Sequence, residues 1–308
     1  MKNRGNQILL VLRIFGILLG CSLLVYQIFL LLRDFNWFII SPKDLINALL
    51  AFGIHILAII LMMTAWKLIL GEMGPNISLI NIFSGFNLSL VARYIPGTIW
   101  GYLSRGEWLK REHNVPYAVS HFCSIIETIG IVFASIFVVT QGLFATREIF
   151  FSLLFCIVFL IGSWASLNWL ILWKPTRRLF RLEDNYVFQF PLSKWIIVFI
   201  LFTCMWYGYG LGLTVFASAI DLHITFPHIL EISSIYALAW FIGFIVPFVP
   251  SGLGLREYSL TILLVSQFGM AMSDASFIAI GFRVLVSIAE LLWILYGLTK
   301  KTLPRLFN

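Results

Sequence analysis

Charge is scarce in this chain. Only 11% of its 308 residues are Asp, Glu, Lys or Arg, against about 25% in ordinary soluble domains. That leaves no room for a sizeable water-soluble domain. Cysteine is scarce too. Cys21, Cys123, Cys156 and Cys204 all fall in apolar runs, and no pair has metal-ligand spacing, so they read as buried free thiols. Enzyme signatures are missing. The sequence has no Asp-rich metal motif, no His-Glu-x-x-His, no Gly-x-Ser-x-Gly and no Walker loop. The expectation is therefore a protein that is not an enzyme and uses no metal or cofactor.

Apolar residues dominate instead, at 60% of the chain with a mean hydropathy of +0.96. The fold class expected is an all-α integral membrane protein, a single polytopic domain over residues 1–308. About 20 apolar residues cross a bilayer. Residues 8–32, 45–70, 117–141, 149–173, 195–217 and 277–298 qualify, giving about six full spans. The net charge of +7 lies in short loops and at the ends. That is the pattern of anchors on the cytoplasmic side of a cell membrane rather than of a nucleic-acid surface.

Two further apolar segments are broken. The stronger break is Val246-Pro247-Phe248-Val249-Pro250-Ser251-Gly252-Leu253-Gly254-Leu255-Arg256-Glu257. Its prolines cannot donate backbone hydrogen bonds and its glycines loosen the chain, so a helix entering it must stop. Its second limb, residues 258–270, is roughly 20 Å long as a helix, short of the ~30 Å hydrocarbon core. Residues 273–276 then turn the chain. The other break, Pro96-Gly97, follows Arg93-Tyr94-Ile95 and precedes a short apolar piece ending at Leu103. Residues 104–116 read as a polar stretch carrying Arg105 and Glu107, placed at the interface.

Charge topology selects a re-entrant hairpin for the first break. A full crossing there would put Arg105, Lys110 and Arg111 outside, against the positive-inside rule. With that hairpin, both termini and the basic loop 174–194 stay cytoplasmic. Each broken segment is followed by a span with a buried charge, Glu127 in one and Arg283 in the other. The two halves, about 1–173 and 195–300, then form an inverted repeat, a transporter feature.

Intramembrane charges are costly and tend to pair or to line a path. Arg93, Arg256 and Arg283 suit a lipid phosphate, which a guanidinium grips in bidentate fashion. Glu127, Glu257 and Glu290 would balance them in an empty site. The competing reading makes these residues structural ion pairs, with Arg256 against Glu257 locking the bend and Glu290 purely structural. His55 reads as a packing residue. Ser120, Ser124, Glu127 and Ser135 share one helix face. Gly208-Tyr209-Gly210-Leu211-Gly212 resembles a nucleotide loop only by its letters, and small-residue helix packing accounts for it.

Tyr94-Ile95-Pro96-Gly97-x-x-x-Gly101 with Arg105, and Pro250-x-Gly252-x-Gly254-x-Arg256-Glu257 with a later Arg283, resemble the lysylphosphatidylglycerol synthase transmembrane (flippase-domain) family. The resemblance covers about residues 8–300. Ser251 departs from it, since a Gly-Gly pair with Gly252 is expected there, and so does the bulky Thr98-Ile99-Trp100. The resemblance implies a stand-alone member, without the soluble synthase domain, that moves lipid between leaflets. Its partners would be membrane lipids, an anionic phospholipid or a lipid-linked saccharide, and a lipid-modifying enzyme. The site residues expected are Arg93, Pro96, Gly97, Arg105, Glu127, Pro250, Gly252, Gly254, Arg256, Glu257 and Arg283. The alternative is a membrane enzyme, or its accessory subunit, acting on a lipid-linked substrate.

Overall fold

The computed structural model describes residues 2–34, 42–92, 100–143, 149–175, 189–218, 228–246 and 249–306. Ten α-helices are described: α1 (Lys2–Asp34), α2 (Pro42–Met73), α3 (Leu79–Ala92), α4 (Trp100–His113), α5 (Tyr117–Leu143), α6 (Ile149–Leu172), α7 (Leu192–Ser218), α8 (Ile229–Ile245), α9 (Leu255–Phe268) and α10 (Met272–Leu306). No strand occurs among the described residues. A bilayer leaves this solution open because a helix satisfies its own backbone hydrogen bonds.

Five helices, α2, α5, α6, α7 and α10, are long and apolar enough to cross a membrane. Shorter apolar stretches lie at Ile14–Leu30 and Ile229–Ile245. By contrast α3, α4 and α9 have 14 residues each. At 1.5 Å per residue each reaches about 21 Å, too short for the hydrocarbon core.

Three readings change here. The polar stretch 104–116 is largely helical. It continues α4, whose Arg105, Gly106, Trp108 and Leu109 are buried. The alternation of charge along it hides that narrow inward face. The turn after the second break lies earlier than 273–276, at Gly269, which closes α9 in a left-handed conformation, so Ser273 to Ser276 already belong to α10. Of the four cysteines, which are all free, Cys123 is buried, but Cys21 and Cys204 lie exposed on the apolar perimeter.

Lipid tails are as apolar as leucine, so helices associate here through close packing and polar contacts rather than through burial alone. The most extensive pairing is α2 with α7. A Cβ on Gly208 would sit 3.4 Å from Ala58, and one on Gly212 would sit 3.5 Å from the Ala51 carbonyl. On the other side of α7, Gly210 lies against Ser233 of α8. This is the small-residue packing expected for that glycine-rich segment. Trp108 of α4 covers Gly85 of α3, and Ser234 of α8 donates to the Val139 carbonyl of α5 at 3.1 Å. α6 is peripheral, with Ile157, Val158 and Ile161 exposed.

The helix contacts follow a two-fold rule. Exchange α2 with α7, α3 with α8, α4 with α9, and α5 with α10. The α3–α4 contact becomes α8–α9, α4–α5 becomes α9–α10, and α3–α10 becomes α8–α5. The α2–α7 pair maps onto itself, and α1–α10 maps onto α6–α5. The rule holds for the eight helices α2–α5 and α7–α10, whereas α1 and α6 depart from it: α1 also packs on α9 and α6 on α7. The α3–α4 and α8–α9 units pack against α5 and α10, not extensively against each other. That leaves space between them.

Candidate functional site

Helix α8 ends at Ile245, and a short 3-10 turn, Pro250–Gly252, leads into α9. The turn is tied by Gly252 N–H to the Val249 carbonyl at 3.1 Å and by Leu253 N–H to the Pro250 carbonyl at 2.9 Å. Ser251, Gly252 and Gly254 have φ of 52°, 68° and 79°. Only glycine takes such angles without strain, so Ser251 carries a strain that the glycine expected at its position would avoid. Gly254 is required twice over. A Cβ there would meet the Gly20 carbonyl of α1 at 2.0 Å.

Gly254 caps α9, and its N–H donates to Glu257 Oε2 at 2.6 Å. The other carboxylate oxygen of Glu257 faces Arg283 Nε at 3.3 Å. Arg283 also donates to Ser251 Oγ at 3.0 Å. Arg256 does not pair with its neighbour Glu257. Successive residues of a helix point about 100° apart. Arg256 therefore turns toward α8, where it donates to the Tyr236 hydroxyl and its guanidinium lies 4.8 Å from that ring's centre.

The first unit carries a corresponding pair. Arg105 of α4 is buried rather than interfacial, and its Nη1 lies 2.5 Å from Glu127 Oε2 of α5. Its guanidinium sits 4.7 Å from the Trp66 ring and 4.4 Å from that of Phe86. Glu127 shares its buried face with Ser120, Ser124 and Ser135, as the helical spacing predicts. Glu107 points outward. It binds Arg111 and Tyr117, and the Tyr117 hydroxyl, then Arg111, holds its carboxyl below the usual range.

These groups converge on one cavity of about 160 Å³. Both units supply its wall: Arg105 and Glu127 from one, Ser251, Gly252, Arg256, Arg283 and Glu290 from the other. Glu290, expected as a structural residue, also lines this cavity. Pro250 and Gly254 shape the turn behind it, and Glu257 reaches it through Arg283. Arg93, Pro96 and Gly97 lie outside the described residues. No group of metal-ligating side chains occurs among the described residues.

The sequence reading missed the aromatic wall. Trp206, Tyr209, Tyr236, Trp240 and Phe244 line the cavity, with His55 stacked on Tyr209 at 5.1 Å between ring centres. The signal was available in α8, where Tyr236, Trp240 and Phe244 recur every four residues.

Among known proteins, a family model described as the lysylphosphatidylglycerol synthase TM region matches residues 8–293. No curated protein and no solved structure matches the chain.

Proposed function

The chain belongs to the lysylphosphatidylglycerol synthase transmembrane-region family, and from that premise we propose that it is a lipid flippase or scramblase-like transporter. Its cargo is an anionic or lipid-linked headgroup moving between the leaflets of the cytoplasmic membrane. The carrying observation is that Arg105, Arg256 and Arg283, from three helices and both broken units, face one cavity inside an apolar helical body.

A phosphate crossing hydrocarbon alone faces a prohibitive desolvation cost. Guanidinium groups replace water at phosphate oxygens with directed, charge-assisted hydrogen bonds. Arg105 and Arg283 are already matched by carboxylates, so a passing phosphate exchanges partners with Glu127 and Glu257. Arg256 has no carboxylate partner among the described residues and offers the first contact. The headgroup enters sideways, between the two units, while its acyl or prenyl chains stay in lipid. In this reading both units are re-entrant, and both termini face the cytoplasm. The protein carries the lipid without altering it, alongside a lipid-modifying enzyme.

The test is reconstitution in liposomes with fluorescent lipids and a membrane-impermeant quencher. Lipid movement that disappears in Arg256→Ala and Arg283→Ala, with folding intact, supports the proposal. No movement above protein-free liposomes for any anionic lipid refutes it. Chemical conversion of the lipid without movement establishes the enzymatic alternative instead.

A further inference from the structure

The cavity is larger than a phosphate needs. About 160 Å³ of space is the liquid volume of roughly five waters. A phosphate held by Arg256, Arg283 and Ser251 fills only one corner. The rest of the wall carries the Arg105–Glu127 pair, Glu290 and a group of aromatic rings. Trp240 and Phe244 of α8 lie parallel, 4.9 Å apart at an interplanar angle of 11°, and both are half-buried. Trp206 meets Trp240 edge-on at 5.0 Å. This stack is joined to the phosphate corner, because Gly243 between the two rings packs directly on Arg256. A Cβ there would lie 3.2 Å from that of Arg256. Glu290 and His55 also line the space.

Three kinds of group could sit beside the phosphate. An acyl chain would leave Glu290, His55 and the tyrosines facing hydrocarbon, at a desolvation cost. An ammonium group suits aromatic faces in general, but against this stack it would lie next to the Arg256 guanidinium, while the Glu127 carboxylate of the same wall is already paired with Arg105. A sugar ring satisfies both conditions. Its C–H face packs on an aromatic plane, and its hydroxyls meet Glu290 and His55 without bringing charge.

We propose that the headgroup accepted by this cavity is a glycosyl phosphate, with its phosphate on Arg256, Arg283 and Ser251 and its sugar ring against the Trp240–Phe244 stack. This rests on the lipid-transport reading above and narrows it to one substrate class. Trp240 is then a specificity residue for the sugar, while Arg256 serves any phosphate.

The test is calorimetric titration of the full chain in nanodiscs, free of glycosidic detergent. The ligands are citronellyl phosphate, the glucose phosphodiester made from it, and glucose 1-phosphate. The glucose diester is expected to bind about tenfold more tightly than citronellyl phosphate. Trp240→Leu is expected to erase that difference while leaving citronellyl phosphate within about twofold of wild type. Arg256→Gln weakens both prenyl ligands together. Trp240→Phe keeps a ring and part of the preference, and it carries the test if Trp240→Leu does not fold. Equal wild-type affinity for the two prenyl ligands overturns the sugar inference and leaves the transport reading standing. So does a preference that survives loss of the Trp240 ring. Glucose 1-phosphate binding as tightly as the diester removes the lipid from the reading but keeps sugar phosphate recognition. If none of the three ligands binds, the sugar inference falls, and the liposome assay decides the transport reading separately.

Discussion

Replacing Glu257 with Gln separates the two tasks of that carboxylate. The amide retains an oxygen for the Gly254 N–H, now 2.6 Å from Oε2, so the cap of α9 survives. What is lost is the charge facing Arg283 at 3.3 Å. Removing one partner of a buried pair costs about 3–5 kcal/mol, because the other charge stays behind. Two features reduce that figure. Arg283 still donates to Ser251 at 3.0 Å, and its side chain is 13% exposed to the cavity. A loss of about 2–3 kcal/mol is therefore expected for Glu257→Gln, and a similar loss for Arg283→Gln. The double variant should recover much of it, with a coupling of about 2 kcal/mol. Steric-trap unfolding in bicelles measures all four stabilities. Lipid movement should not return in the double variant, because the guanidinium is gone. A Glu257→Gln change smaller than about 0.5 kcal/mol, or a strictly additive cycle, would refute the ion-pair lock.

The remaining predictions concern neighbouring groups. Arg105→Lys should lose both stability and lipid movement, because an ammonium lacks the planar group that contacts both the Trp66 and Phe86 rings while binding Glu127; recovery to wild-type levels in either assay contradicts this. Gly254→Ala should cost at least about 2 kcal/mol, since its Cβ would lie 2.0 Å from the Gly20 carbonyl at a φ of 79°. Gly252→Ala should cost less, its nearest contact being 3.2 Å, and melting temperatures test that order. Ser251→Gly should relieve about 1 kcal/mol of backbone strain yet slow lipid movement, by removing the hydroxyl that accepts from Arg283. Faster movement in that variant would show that Ser251 only fills space.

The second break was legible because proline and glycine leave few backbone choices. Pro250, Gly252 and Gly254 sit where the turn needs them, and the start of α9 at Leu255 follows from the Gly254 cap. The division of labour between Arg256 and Glu257 was also within reach. Once both are placed in the first turn of a helix, they cannot share a direction, and the pairing of one with the other is ruled out. Arg105 was harder to place. Between Ser104 and His113 the buried face of α4 is one arginine, one glycine, one tryptophan and one leucine, interleaved with Glu107, Lys110 and Arg111. Hydropathy averages such a segment into a loop. What it buries is aromatic and ionic, and those partners, Trp66, Phe86 and Glu127, come from three other helices. No spacing within α4 announces them.

The two ion pairs are related by the helix exchange, but with their signs reversed. α4 supplies an arginine to a glutamate of α5, whereas α9 supplies a glutamate to an arginine of α10. Local physics fixes each polarity. The α4 guanidinium lies over the rings of both Trp66 and Phe86, whose negative quadrupoles stabilise a cation and repel an anion. The α9 position lies in the first turn of a helix, where the Gly254 N–H needs an acceptor and the helix dipole favours a carboxylate. Each following helix then carries the opposite charge because a lone buried ion is not tolerated. The pairs are therefore constrained by their surroundings and would persist without any ligand. Arg256 is under no such constraint. It is not required by the cap, it has no carboxylate partner among the described residues, and it faces the cavity from the same turn that Glu257 anchors. A half-buried guanidinium beside a tyrosine, with no carboxylate to balance it among the described residues, is the charge on this wall left open to the proposed phosphate.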